Sequence, residues 1–280
     1  MNLSLRLAGF LLAVLVSFAV PAQQKFEPHV GQSGKDVIWV PTPDEVVERM
    51  LTMAQVTPGD FVWDLGAGDG KIAIMAAKKF GARAVGVEYN PDMVTHANGN
   101  AKAAGVYGEG APGKAMIRHG DIFATNFTSA TVITLYLLPS LNMKLRPQIL
   151  SMRPGTRVVS HSFSMEDWEP DEVSTMDGRR AFFWMVPARV GGAWNLEAGG
   201  SRMEMTLEQS FQKLTGSTLN IGAAAIGLRD TRLRGSAISF SYVDPQGVRR
   251  DLSGRVTGDK MEGTWKDEKG AEGKWSAVKR

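Results

Sequence analysis

The stretch Val62-Trp63-Asp64-Leu65-Gly66-Ala67-Gly68-Asp69-Gly70 sets the tightest limit on what this chain can fold into. An apolar strand-forming run, Phe61 to Leu65, passes through three glycines into a helix-forming run, Lys71 to Phe80. Glycines here let the backbone turn sharply and approach a ligand where any Cβ would collide. The spacing is G-x-G-x-G after an acidic residue, not the G-x-G-x-x-G of dinucleotide binders. Dinucleotide sites bring a helix N-terminus to a pyrophosphate. Asp64 and Asp69 put negative charge where a pyrophosphate would be repelled. A zwitterion carrying an ammonium and a sulfonium suits such a loop far better.

The flanking sequence alternates strands with helices. Pro43 to Met53 reads as a helix with proline and acidic residues in its first turn. Ala82 to Tyr89, Ala115 to Ile122, Thr131 to Leu138 and Thr156 to Phe163 read as strands. Pro91 to Ala104 and Ser140 to Met152 read as helices, and Ala181 to Val190 as a strand that closes the sheet. This alternation over residues 37 to 190 predicts an α/β fold with a doubly wound, mostly parallel sheet. The second strand ends in Gly86-Val87-Glu88, where a carboxylate can accept hydrogen bonds from both ribose hydroxyls. The third ends in Gly120-Asp121-Ile122, where an acid can meet an adenine amino group. Acids in this order at successive strand ends outline a pocket for S-adenosylmethionine.

This block resembles the class I, seven-strand, Rossmann-like methyltransferases that use S-adenosylmethionine. Trp39-Val40-Pro41-Thr42-Pro43, the Asp64–Gly70 loop and Thr134-Leu135-Tyr136-Leu137-Leu138-Pro139 narrow the resemblance. They are similar to the lysine methyltransferases that modify a mitochondrial ATP-synthase ring protein and carrier proteins, and to their bacterial relatives. The resemblance spans residues 36 to 165. It implies that Asp64, Gly66, Gly68, Glu88 and Asp121 contact the cofactor and that Pro41 and Thr42 cover it; Asp69 and Gly70 belong to the same loop. It also implies methyl transfer to a nucleophile, with a protein lysine amine as the acceptor in view.

Such an acceptor imposes its own chemistry. Deprotonating a lysine of pKa about 10.4 at pH 7 costs roughly 4.6 kcal/mol, and a partly apolar pocket reduces that cost by disfavouring the ammonium. Tyr136, at the fourth strand end, is placed to orient an amine through its hydroxyl. His161, after the fifth strand, is the best placed of the four histidines for proton transfer. Packing roles compete with both assignments: a strand-end aromatic under the next helix, and a structural histidine. His29, His96 and His119 show no ligand spacing, and there is no cysteine, so no metal site is expected. No G-x-S-x-G nucleophile elbow follows a strand.

From Gly191 onward the texture changes, with 14 of the 31 glycines and no helical period. Met203, Met205 and Leu207 alternate, as do Ile238, Phe240 and Tyr242, which suits half-buried strands. Leu214-Thr215-Gly216, Leu233-Arg234-Gly235 and Leu252-Ser253-Gly254 recur every 19 residues, and Met261-Glu262-Gly263 follows. The spacing suggests one hairpin each. We therefore expect residues 191 to 280 to form a small antiparallel β-rich meander or partial barrel, with Trp194, Trp265 and Trp275 in its core. The net charge of +3 comes from this region, which holds 14 basic and 11 acidic residues. That excess is too small and too dispersed to predict nucleic-acid binding.

The first 22 residues read as an export signal. Arg6 is followed by an uncharged apolar run, Leu7 to Val20, and Ala22–Gln23 fits a signal-peptidase bond. As a helix that run reaches roughly 21 Å at about 1.5 Å per residue, short of a bilayer core about 30 Å thick. Export to the periplasm follows, with an uncleaved inner-membrane anchor as the alternative and membrane contact confined to this segment. Residues 23 to 36 read as a polar linker. Two functions remain open at this level: a working methyltransferase, or an exported protein that keeps the fold without turnover.

Overall fold

The structure, a computed structural model, describes residues 26 to 280. The expected export signal and its cleavage after Ala22 lie outside the described residues. Strands β1 (Phe61–Leu65), β2 (Arg83–Glu88), β3 (Ala115–His119), β4 (Val132–Leu135) and β5 (Arg157–His161) pair in parallel. Between them run α1 (Asp44–Met53, ahead of β1), α2 (Lys71–Phe80), α3 (Pro91–Ala103) and α4 (Pro139–Leu150). Antiparallel β6 (Glu172–Met176) and β7 (Arg179–Met185) complete a seven-stranded sheet of order β3-β2-β1-β4-β5-β7-β6.

Alternate side chains of one strand face different layers, as the pleat requires. Val62 joins α1, α2 and α3 in one core, whereas Trp63 and Leu65 join α4 in another. Both faces are covered, so β1 is buried along nearly its whole length. Asn90 caps α3, its Oδ1 accepting from the Asp92 and Met93 backbone N–H groups, with Pro91 in the first turn. Strand order reverses between β1 and β4, and in such sheets ligands bind outside the strands' C-terminal ends at that reversal.

Several boundaries differ from the sequence expectation: β4 ends at Leu135 instead of Leu138 and β5 at His161 instead of Phe163. β7 does not close the sheet; it lies inside, and β6 forms the edge. Arg49 of α1 secures that edge by donating to Glu172 and Ser174. β3 stops at His119, because the chain turns through Gly120 and Asp121 instead of continuing to Ile122.

The remaining chain is all β: β8 (Gly192–Ala198), β9 (Ser201–Leu207), β10 (Gln209–Ser210), β11 (Lys213–Leu214), β12 (Thr218–Ile221), β13 (Ala224–Gly227), β14 (Arg229–Arg234), β15 (Ala237–Val243), β16 (Arg249–Thr257), β17 (Lys260–Asp267) and β18 (Glu272–Lys279). Among the described residues β10 and β11 pair only with each other. The other nine form one antiparallel sheet of order β13-β12-β9-β8-β18-β17-β16-β15-β14. Its edge strands, β13 and β14, are consecutive in the chain and joined through Leu228, so the sheet curls into a near-barrel.

Glycine and tryptophan shape this curl together. Gly254 and Gly263 face each other in register on β16 and β17. A Cβ on Gly254 would meet the Trp275 ring at 2.7 Å, and one on Gly263 would run into the Ser253 carbonyl. The paired glycines let the two strands bend and let Trp275 lie across them. Trp265 lies over Gly273 in the same way, where a Cβ would meet its Nε1 at 2.9 Å. With Trp194 these side chains fill the interior. The glycine spacing is therefore no hairpin period. Gly216 and Gly235 sit in turns, while Gly254 and Gly263 sit inside strands; what the four sites share is a buried Leu or Met two residues earlier.

The near-barrel joins the seven-stranded sheet away from its C-terminal strand ends. Ala188 donates to the Gly235 carbonyl at 2.8 Å, and Gly235 packs on Gly155, which precedes β5. Beside it, Trp168 stacks on Phe211 with ring centroids 6.0 Å apart and donates Nε1–H to Gln212.

Candidate active site

At the C-terminal ends of β1, β2 and β4 the described residues enclose a cavity of about 520 Å³, within the size range of sites for small cofactors. Its wall includes Gly66, Gly68 and Asp69 of the loop, Glu88, Asp121, Tyr136 and Thr42. No residue beyond Phe163 lines it.

The loop holds its shape by backbone bonds. The N–H groups of Gly66 and Ala67 both donate to the Val87 carbonyl at 2.9 Å, drawing the loop onto β2. Gly66 and Gly68 have φ of 84° and 53°, in the left-handed region that favours glycine. A Cβ at Gly66 would meet Leu137 at 2.9 Å, and one at Gly68 would meet the Trp39 indole at 2.6 Å. Gly70 differs: it is absent from the cavity wall, and its close neighbours are Ile117 and Ala97. This glycine starts α2 and brings α3 close; it does not face the cavity.

Three carboxylates have three different environments. Glu88 accepts from the Gly68 N–H at 3.0 Å and the Asn90 N–H at 2.9 Å, which fixes it at the cavity wall. Asp121 accepts from the Phe123 N–H at 2.9 Å and from the Lys35 ammonium at 2.7 Å. The Lys35 bond is the main cause that holds Asp121 below the usual carboxylate range. Asp64 does not line the cavity and is 1% exposed. One oxygen accepts from Thr134 Oγ1 at 2.7 Å, while Oδ2 is buried without a partner. Burial, with the nearby charges of Asp69 and Glu88, pushes its pKa up to about 7.

The other end of the cavity is aromatic and apolar, with Tyr136, Leu137, Leu138, Leu141 and Phe163. His161 stands behind Tyr136, with ring centroids 4.1 Å apart, and is not part of the wall. Its Nδ1 lies 3.1 Å from Thr42 Oγ1, and Nε2 is enclosed without a partner. Burial, helped by Arg179, lowers its pKa to about 4. A neutral imidazole sealed behind Tyr136 can position that ring and Thr42. It does not reach the cavity as a proton acceptor.

Residues 32 to 36, expected to be linker, form part of the cavity wall. They belong to a tight hairpin in which Gly31 and Trp39 are bonded and Ser33 bridges Ile38. A polar stretch with no periodicity gives one sequence signal of this, the Gly34-Lys35-Asp36 turn chemistry. Among the described residues no cluster of three or more His, Asp or Glu side chains could hold a metal ion.

The cavity fits S-adenosylmethionine by its donor set. Two anchored carboxylates offer acceptors to hydroxyl and amino groups, and the glycines let Leu137 and Trp39 close against the loop to form the cavity wall. Among the described residues no cation pairs with Asp69 or Glu88, and their charge favours a cationic ligand over a pyrophosphate.

Comparison with known proteins agrees. Residues 64–172 match the family described as the ANTKMT methyltransferase domain. A protein-lysine N-methyltransferase of Saccharolobus islandicus is 45% identical over 139 residues, covering 49% of this chain and 83% of that protein. The adenine nucleotide translocase lysine N-methyltransferase of Mus musculus is 31% identical over 173 residues, covering 58% of this chain and 68% of that protein. A solved structure described as an RNA methyltransferase from Salinibacter ruber, in complex with S-adenosyl-L-homocysteine, is 47% identical with a TM-score of 0.51. It is covered over 96% of its length and aligns with 54% of this chain.

Proposed function

The chain belongs to the ANTKMT methyltransferase-domain family and is an S-adenosylmethionine-dependent methyltransferase, and from that premise we propose that it methylates the side-chain amine of a lysine in a protein. One observation carries the choice of acceptor: the cavity's far end is built of Tyr136, Phe163 and three leucines with no carboxylate among them. An ammonium entering there loses hydration without gaining a counter-charge, so the neutral, nucleophilic amine is favoured. The cofactor supplies an electrophilic sulfonium methyl.

The chain's own residues do the rest by alignment and exclusion of water. Glu88 and Asp121 hold the nucleoside end, and Gly66, Gly68 and Asp69 shape the loop beside the amino-acid end. Asp64 supports the loop from below. Thr42 and Tyr136, both braced by His161, frame the acceptor end. The Tyr136 hydroxyl orients the amine, and the departing proton passes to water at the mouth. The relatives named for lysine methylation support this reading, as does a net charge of only +3 with no dense Lys/Arg cluster in the sequence. We further propose that the mature chain begins after Ala22 and works outside the cytoplasm; the observation in favour is the Leu7–Val20 run after Arg6.

The test is a methyl-label assay with labelled S-adenosylmethionine on host protein and host RNA fractions, followed by mass spectrometry of the labelled species. Label on lysine supports the proposal, and label confined to RNA overturns it. Intact mass from the host checks the processing; full-length cytoplasmic protein would exclude export.

A further inference from the structure

Lys35 sits at the tip of the hairpin formed by residues 31 to 39 and reaches into the cavity. Its ammonium bonds Asp121 Oδ2 at 2.7 Å and lies 4.6 Å from the centroid of the Tyr89 ring. Asp121 Oδ1 is already engaged by the Phe123 N–H, so Lys35 takes the carboxylate oxygen left for a ligand. Tyr89, immediately after Glu88, presents an aromatic face at the same end of the cavity. An acceptor oxygen beside an aromatic face is what an adenine ring uses, through its amino group and its π surface.

We propose that Lys35 is an internal competitor for the adenine subsite, so that cofactor binding must displace its ammonium from Asp121 and Tyr89. The proposal rests on the assignment of Glu88 and Asp121 to the nucleoside end. The hairpin makes this competition intramolecular, since backbone bonds between Gly31 and Trp39 hold the tip over the cavity at high effective concentration. The Lys35 and Asp121 side chains are 36% and 31% exposed, so solvent screens the pair and the effect is modest. Lys35 therefore lowers cofactor affinity and eases product release, and it makes binding salt-dependent in an unusual direction. Salt weakens the ion pair, which frees the subsite.

The experiment is calorimetric titration of the whole chain with S-adenosylhomocysteine, at low and high sodium chloride, for the wild type, Lys35→Met, Glu88→Ala, Asp121→Ala and the Lys35→Met/Asp121→Ala pair. Lys35→Met should tighten binding about three-fold, the scale of a partly exposed ion pair. Added salt should tighten the wild type and leave Lys35→Met unmoved. In the Asp121→Ala background the tightening should vanish. Weaker binding by Lys35→Met would make Lys35 a clamp, and equal binding would make it a bystander; either result overturns the proposal. Glu88→Ala and Asp121→Ala read the underlying assignment separately. If both bind like the wild type, the subsite reading falls, whereas if both weaken and Lys35→Met does not tighten, only the competition falls.

Discussion

The two halves of this molecule bury their side chains by different rules. The near-barrel packs three tryptophans among aliphatic side chains, and its buried polar side chains are Ser217 and Ser241. The α/β half buries Thr42, Asp60, Asp64, Thr134, Asn142, Thr156, Ser160 and His161. Its unpartnered buried atoms include Asp64 Oδ2, Asn142 Oδ1 and His161 Nε2, at or behind the cavity. Buried polar groups left without partners cost free energy. Among the described residues the α/β half carries most of that cost at or behind the cavity, with Trp63 Nε1 besides, whereas the near-barrel carries it at Trp265 Nε1 alone. Stability and chemistry have been assigned to separate cores.

The largest test of that separation is Trp275→Ala. Removing the side chain that spans Gly254 and Gly263 should destabilise the near-barrel by about 3–5 kcal/mol. Chemical denaturation should show it as an earlier transition of the β half, with S-adenosylhomocysteine affinity unchanged in conditions where the α/β half stays folded. A parallel loss of affinity would break the comparison. Next comes Glu88→Ala, which should weaken S-adenosylhomocysteine binding by about 2–3 kcal/mol, the scale of lost charge-assisted hydrogen bonds. Here the near-barrel's unfolding should stay put.

The third test uses acidity, and the signs oppose each other. Asp64 ordinarily titrates at 3.8 but near pH 7 in the fold. Its contribution to stability is therefore fully present below 3.8 and lost as pH rises to about 7. His161 ordinarily titrates at 6.5 but near pH 4 in the fold. The unfolded chain takes up that proton first, so its contribution is lost as pH falls from 6.5 to 4. Between about pH 4 and 6.5 each state holds one proton on the pair, and the two slopes cancel. Relative to wild type, Asp64→Asn should lose stability on acidification and His161→Asn should gain it, each by up to about 1.4 kcal/mol per pH unit. Denaturation midpoints at several pH values check this; slopes of equal sign would refute it.

The smallest expected change is in a chain ending at Val190. No residue past Phe163 touches the cavity, so its affinity for S-adenosylhomocysteine should match the full chain's. Trp168 would lose Phe211 and Gln212 and become exposed, which should lower solubility. Lost binding in a chain folded by circular dichroism would show that the two halves are coupled.

The sequence disclosed most where physics leaves few choices. Gly66 and Gly68 were legible because left-handed backbone and a close wall leave glycine as the residue that fits. Glu88 and Asp121 were legible by their place at strand ends. Gly70 shares the left-handed backbone, at φ 80°, but its close neighbours are Ile117 and Ala97 and not the cavity, and nothing local separates the two cases. Lys35 was hidden because its role depends on a carboxylate far along the chain. β6 escaped because a half-exposed edge strand lacks a clear alternation: Glu172 and Val173 are both exposed. The curl of the nine-stranded sheet was foreseen as a meander or partial barrel, but its strand order was not, since pairing of β8 with β18 leaves no local trace.

That last pairing has a consequence for how the molecule is made. β8 and β18 are neighbours from Trp194↔Lys279 to Ala198↔Trp275, so the strand that opens the near-barrel waits for the strand that completes it. During synthesis the seven-stranded sheet has all its parts once Met185 has emerged, whereas β8 has an unsatisfied edge until β18 arrives. Non-local closure of this kind is slow, and open strand edges invite pairing with other chains. The α/β half should therefore reach its native state while the chain is still growing, with the near-barrel as the slow, aggregation-exposed step of folding.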